Sequence, residues 1–161
     1  MSEEAFRIVP AAAADLGDVR RLFEAYAGSL GVDLAYQGFA EELAGLPGKY
    51  AAPEGAMLVA RDAGNAAIGC VALRGMAEPG CCEMKRLYVT PAGRGRGLGR
   101  ALVEAVCAAA VRAGYREIRL DTLPDMTEAQ ALYARLGFVE VAPYYDTPVA
   151  GTRFMARRLG G

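Results

Sequence analysis

The 161-residue chain contains no histidine. That absence excludes the Ser/His/Asp and Cys/His nucleophilic systems and the usual His-containing zinc sites, so any catalytic base must be of another kind. The four cysteines, Cys70, Cys81, Cys82 and Cys107, show no CxxC spacing. They read as reduced thiols buried in strands or on a helix face of a cytoplasmic protein, and no metal is expected. No apolar run approaches the roughly 20 residues needed to cross a bilayer, and no segment is basic and amphipathic enough for a membrane surface. The N-terminus MSEEAFRIVP lacks the basic and apolar regions of a targeting segment. Neither charge dominates: 18 Lys plus Arg face 19 Asp plus Glu, for a formal charge of −1. Nucleic acid is thereby disfavoured as a partner, and any basic chemistry must be local.

What the chain does have is apolar mass, 53% of its residues. At this length a single domain over residues 1–161 can bury roughly 70% of the surface its unfolded chain exposes, without a metal or disulfide staple. Phe6 to Val9 reads as a strand closed by Pro10. Asp15 is placed to cap a helix whose stripe is Leu16, Val19, Leu22, Phe23, Tyr26 and Leu30. A second helix is predicted over Gln37 to Leu46, with Phe39, Leu43 and Leu46 on one side, then Pro47-Gly48 and a loop from Lys49 to Ala56. Met57 to Arg61 and Ala67 to Arg74 form a hairpin about Ala63-Gly64-Asn65. Cys81 to Val89 alternates as a strand, with Glu83, Lys85, Leu87 and Val89 on one face and Met84, Arg86 and Tyr88 on the other. A helix follows from about Leu98 to Ala113, stopped by Gly114. Glu117 to Leu123 is the next strand, Asp125 or Thr127 starts a helix ending at Gly137, and Phe138 to Val141 and about Thr152 to Arg157 are the last strands, flanking the loop PYYDTPVAG. This order predicts an α/β protein of the α+β kind, a mixed sheet flanked by helices.

The segment Arg94-Gly95-Arg96-Gly97-Leu98-Gly99-Arg100 lies between a strand and an amphipathic helix. Glycines let successive N–H groups converge, and the helix start favours an anion, so the turn reads as a diphosphate seat. No lysine follows the glycines as a Walker A loop requires. A Rossmann GxGxxG also fails, because starting from Gly93 or Gly95 the third glycine position holds Leu98 or Arg100.

Arg94-x-x-Gly97-x-Gly99 resembles the acyl-CoA signature of the Gcn5-related N-acetyltransferase superfamily. The likeness extends to EMKRLYV before it and ALYARLGF after it, so it covers roughly Glu83 to Phe138. EMKRLYV, LDTLPDM, ALYARLGF and PYYDTP are similar to a large group of uncharacterised bacterial members. The resemblance implies a twisted mixed sheet of about seven strands with four helices, in which the strand before the turn splays from the next parallel strand and pantetheine fills the gap. It implies acetyl-CoA as co-substrate, with Leu87, Tyr88 and Val89 against pantetheine and the thioester. Arg94, Gly95, Arg96, Gly97, Leu98, Gly99 and Arg100 would hold the pyrophosphate. It also implies Glu83, eleven residues before Arg94, as base, and Tyr133 as the acid beside the coenzyme sulfur. A phenol near pKa 10 stays protonated at neutral pH and so suits proton donation to a thiolate. By period 2, Glu83 shares a face with Leu87 and Val89. A solvated strand-start glutamate and a core tyrosine are the plainer readings of the two positions. Where the family often carries an asparagine, this chain has Met126.

For the acceptor, Tyr36, Phe39, Asp121, Tyr144 and Tyr145 are candidate walls, since carboxylates suit an ammonium and tyrosines can stack on it. The expected activity is acetyl transfer from acetyl-CoA to a small-molecule amine by direct attack. Acetylation of a protein N-terminus or lysine, and a CoA-binding sensor without turnover, are the alternatives; a homodimer is left open.

Overall fold

The computed structural model describes residues 5–160. Residues 1–4, the start of the stretch read above for a targeting segment, and Gly161 lie outside the described residues. Seven strands form one sheet: β1 (Phe6–Pro10), β2 (Ala56–Asp62), β3 (Ala67–Gly75), β4 (Cys81–Val89), β5 (Glu117–Thr122), β6 (Val139–Val141) and β7 (Arg153–Arg158), in the order β1-β2-β3-β4-β5-β7-β6. Only β4 and β5 run parallel, joined by a helical crossover; the other pairs are antiparallel. The helices are α1 (Leu16–Ser29), α2 (Phe39–Ala44), α3 (Leu98–Arg112) and α4 (Thr127–Arg135).

Each sheet face has its own core. On one side Leu98, Leu102, Val106 and Ala110 of α3 and Tyr133 of α4 pack on Val71, Leu73, Met84, Ile118 and Leu120. On the other, Val19, Leu22 and Phe23 of α1 cover Val59, Cys70 and Ala72, which is the apolar stripe read from spacing. The end of α3 is also as the glycine implies. Gly114 adopts φ +95° and Tyr115 N–H donates to Ala110 O at 3.0 Å, closing a Schellman-type cap.

Four local expectations are corrected. Asp15 stands at the α1 N-cap position, but its carboxylate accepts from Ala12 N–H at 2.7 Å and Arg61 Nη2 at 2.6 Å rather than from helix amides. The helix over Gln37 to Leu46 is broken at Gly38 (φ +70°), which separates a 3-10 turn at Leu34–Gln37 from α2. The segment after Pro47 is not all loop: Gly48–Tyr50 is a 3-10 turn that buries Tyr50 against Phe23, ring centroids 6.0 Å apart. The fourth lies in β4. Arg86 and Leu87 both oppose Val71, so a bulge interrupts the ladder, and Arg86 has φ +61°. The alternation reverses there. Cys82, Met84, Leu87 and Val89 lie on the α3 side, whereas Tyr88 packs on the α1 side with Cys70, so Glu83 does not share a face with Leu87 and Val89.

All four cysteine side chains are buried, and desolvation pushes the Cys70 and Cys82 thiols up to about 12. A thiolate is the reactive species, so a bulky disulfide reagent at pH 8 should label fewer than about one thiol per native chain. All four should react after unfolding in guanidinium, as a colorimetric count would show. Rapid labelling of Cys70 or Cys82 in the native protein would contradict this packing.

Candidate active site

Parallel pairing of β4 with β5 ends almost as it begins, covering only Cys81↔Glu117, Cys82↔Ile118 and Glu83↔Arg119. β5 continues to Thr122 against β7, while β4 from Met84 onward has no β5 residue beside it. A slot opens between Met84–Leu87 and Leu120–Leu123, walled also by Met126 and Tyr133 and by residues from α1 and the 3-10 turn after it. Hydroxyl groups in the slot lack hydrogen-bond partners among the described residues. Thr122 Oγ1 is buried with no hydrogen bond, and the Tyr133 hydroxyl has none although the residue is only 5% exposed. Burial, then the nearby Tyr26 and Asp121, raises the Tyr133 phenol well above its ordinary value, so it stays protonated.

Beyond Val89 the chain enters the glycine turn. Thr90 Oγ1 accepts from Gly93 N–H at 3.2 Å, and a Cβ on Gly93 would lie 2.9 Å from Ile68 O, so that glycine is required for close packing. Gly95 (φ +81°) and Gly97 (φ +73°) take left-handed conformations, and a Cβ on either would meet nothing within 4 Å. Ala101 N–H is the first to bond back, to Gly97 O, leaving the amides of the first turn of α3 available. They face an open concavity of about 670 Å³ lined by Val89, Arg94, the glycines, Arg100 and, from α4, Arg135. Arg96 does not line it. Leu98 is 2% exposed and belongs to the core, so its backbone alone can serve an anion. The slot and this cradle are consecutive along β4, and a strand edge, an orphaned hydroxyl and a run of helix-start amides fit the amides and diphosphate of coenzyme A. Leu87 lines the slot and Val89 the cradle, but the Tyr88 side chain turns away to meet Tyr26, ring centroids 6.4 Å apart. Met126 presents a thioether where an amide was the family habit.

On the opposite side of β4, Glu83, Lys85, Arg86 and Arg74 converge with Tyr36, Gln37, Glu42 and Tyr145 around a cavity of about 240 Å³. Glu83 is 1% exposed, which removes the solvated-glutamate reading. Its Oε1 accepts from Arg74 Nε at 2.9 Å and its Oε2 from the Tyr144 hydroxyl at 2.7 Å. Lys85 Nζ donates to Gln37 Oε1 at 3.1 Å and lies 3.7 Å from Asp121 and 3.9 Å from Glu83. Arg86 is bound at both ends of its fork by Glu42, at 2.9 and 2.8 Å, and also reaches Gln37 Oε1 at 2.7 Å. Tyr145 donates to Asp121 Oδ2 at 2.5 Å. Burial first, then the adjoining carboxylates, raises both loop tyrosines, so they remain hydrogen-bond donors across the physiological range. Tyr36, Gln37, Lys85 and Arg86 line both cavity and slot, so the two communicate.

Of the acceptor candidates, Tyr36 and Tyr145 line the cavity and Asp121 the slot, while Tyr144 reaches in through Glu83. Phe39 is not a wall: it lies beneath the Arg86 guanidinium, 5.2 Å from ring centroid to Cζ. Sequence reasoning missed Arg74, Lys85, Arg86, Gln37 and Glu42. The adjacent pair Lys85-Arg86 inside a strand was the available signal, since two charges in a row cannot both face solvent in a regular strand.

A mixed sheet opened between its two parallel strands, with an anion cradle at one end of the opening, is the acyl-CoA N-acyltransferase fold. An acetyltransferase of the GNAT family from Staphylococcus aureus superimposes with a TM-score of 0.80 at 18% identity, over 97% of this chain and all of that one. A Salmonella typhimurium acetyltransferase, solved with acetyl-CoA as its cofactor, gives 0.70 at 21% identity over 97% of this chain and 95% of its own. In sequence, an uncharacterised N-acetyltransferase of Schizosaccharomyces pombe is 43% identical over 88% of this chain and 86% of its own length, so the likeness is not confined to bacterial members. The model of the acetyltransferase (GNAT) family matches residues 19–138. The chain belongs to that family, and it is an N-acetyltransferase.

The open space at Gly97 makes a clean test of the cradle. Asparagine and aspartate tolerate positive φ better than other residues, so Gly97→Asn and Gly97→Asp should both fold, and only the second puts a negative charge at the anion seat. Calorimetry should show acetyl-CoA affinity falling at least tenfold further for Gly97→Asp than for Gly97→Asn, about 1.4 kcal/mol. Equal affinities would remove the diphosphate from this turn.

Proposed function

We propose that the protein transfers the acetyl group of acetyl-CoA to the primary amine of a small, diffusible molecule by direct attack, in the cytoplasm. The observation that carries this reading is the meeting of slot and cavity at Lys85 and Arg86, which puts a donor channel and an acceptor chamber on either side of one strand. The chamber, at about 240 Å³, is smaller than the roughly 300–1,000 Å³ of sites for drug-sized ligands, which favours a small acceptor over a peptide. Among the described residues no helix is long and apolar enough to cross a membrane.

When bound, acetyl-CoA supplies the thioester carbon with which the acceptor nitrogen forms its bond as carbon and sulfur part. Glu83 takes the proton from the acceptor nitrogen. Each of its oxygens already accepts one hydrogen bond, and a carboxylate has about four lone-pair sites, so capacity remains. Lys85 and Arg74 keep that carboxylate in place. Tyr133, protonated and unpartnered in the slot, gives its hydroxyl proton to the departing sulfur and regains one from solvent.

Glu83→Gln should lower kcat about 10²-fold with acetyl-CoA affinity nearly unchanged. Near-normal turnover, together with a large loss in Asp121→Asn, would move the base to Asp121, which shares the slot with Tyr133. Turnover confined to peptide amines would favour a protein acceptor, and CoA binding without turnover of any amine would favour a sensor.

Tyr133→Phe keeps the ring packed on Phe138 and should lower kcat about 10²-fold for acetyl-CoA. The defect should shrink for a thioester with a more acidic leaving thiol, which needs less proton donation. Because burial raises this phenol, wild-type kcat should show no loss from tyrosine ionisation up to about pH 10. An equal defect for both donors means that the hydroxyl only positions the sulfur.

A further inference from the structure

Arg74, Lys85 and Arg86 line the acceptor chamber with Glu42 and Glu83, and a third carboxylate, Asp121, approaches Lys85 from the slot side at 3.7 Å. Arg74 pairs with Glu83 and Arg86 with Glu42, while Lys85 lies between Asp121 and Glu83, so three cations balance three carboxylates. A polyamine or other polycation would bring positive charge into a chamber with no carboxylate left over, and an uncompensated charge taken out of water is strongly unfavourable. A molecule with one positive and one negative group adds no net charge.

The three cations differ in what they have left to offer. Arg86 spends Nε, Nη1 and Nη2 on Glu42 and Gln37, and Lys85 is 8% exposed, its ammonium held by Gln37 between two carboxylates. Arg74 uses only Nε, on Glu83. Its two η nitrogens have no hydrogen-bond partner among the described residues, and its side chain is 35% exposed at the chamber wall. That leaves the outer edge of a guanidinium fork, the geometry that takes a carboxylate through two parallel hydrogen bonds. The same guanidinium sits 2.9 Å from Glu83, so a carboxylate on its η edge and an amine at the Glu83 carboxylate would be a few bonds apart.

We propose that the acceptor is an α-amino acid, its carboxylate seated on the η edge of Arg74 and its amine directed to Glu83. The assignment rests on the amine-acetylating reading above and narrows it. A peptide N-terminus, whose neighbouring carbonyl is an amide, does not satisfy Arg74.

The test follows thiol release from acetyl-CoA by the full chain with the twenty common L-amino acids, each offered as free acid, as carboxamide and as the decarboxylated amine, with spermidine added. For the preferred side chain, kcat/KM should be roughly 10- to 100-fold higher for the acid than for its amide, the worth of a charge-assisted hydrogen-bond pair. Arg74→Gln should bring that ratio close to one. If Arg74 serves only to position Glu83, the variant lowers kcat for acids and amides alike and leaves the ratio unchanged, which overturns the proposal. A wild-type preference for amides, decarboxylated amines or spermidine also overturns it while leaving the transferase reading intact. Calorimetry of the same amino acids with CoA present separates the remaining outcomes. Binding that is lost in Arg74→Gln, without turnover, supports the carboxylate seat and overturns the transferase reading; neither binding nor turnover overturns both.

Discussion

The site depends on the parting of β4 from β5 after Glu83, and Arg86 is the residue at which that parting is fixed. A bulge alone leaves a strand free to rejoin its neighbour. Here the bulged residue takes a left-handed conformation that costs a non-glycine residue about 1–3 kcal/mol. What over-determines it is the environment of its side chain: a bidentate pair with Glu42, a hydrogen bond to Gln37, and the rings of Phe39 and Tyr26 at 5.2 and 6.0 Å. Relaxing that conformation would draw the guanidinium away from Glu42, Gln37 and the two rings together, which opposes the relaxation. The short helix α2 and the 3-10 turn before it thereby brace the opening from the far side of the sheet.

The same bulge sorts the chemistry. Before it, odd-numbered residues of β4 face α1 and α2; after it, Leu87 and Val89 face α3. A regular strand would have lined a single face with Glu83, Lys85, Leu87 and Val89, mixing charges with the apolar wall of the slot. Reversal puts Lys85 and Arg86 side by side at the boundary and leaves the apolar residues beyond them to the donor channel. Within β4 the slot and the chamber therefore meet at two consecutive residues, the shortest separation a strand allows.

Much of the fold was readable because it rests on local signals. The α1 stripe, the glycine stop at Gly114, the hairpin at Asn65 and the RxxGxG turn each come from a few neighbouring residues whose chemistry has one good solution. The bulge had no such marker, since arginine is not a residue type that announces positive φ, and period 2 was carried straight across it. Gly38 broke the second helix for a similar reason: the apolar spacing of Phe39, Leu43 and Leu46 survives on a shorter helix, so the pattern did not reveal the start.

Readability also separates the two halves of the site. The anion cradle is made by backbone amides of one continuous segment, so its glycines and the following helix carry nearly all the information. The acceptor chamber is made by side chains from five places in the chain, with Gln37 reaching Tyr145 across 108 residues and Lys85 reaching Gln37 across 48. Each residue there is a surface-type polar group whose partners lie far away in the sequence. Only the tertiary fold reveals that the cations and carboxylates balance while Arg74 keeps the η edge of its guanidinium free among the described residues. A family can therefore hold its coenzyme seat nearly constant while acceptors diversify. Changing the seat disturbs a backbone geometry, whereas changing the acceptor needs only a different set of charges around a chamber that the opened sheet already provides.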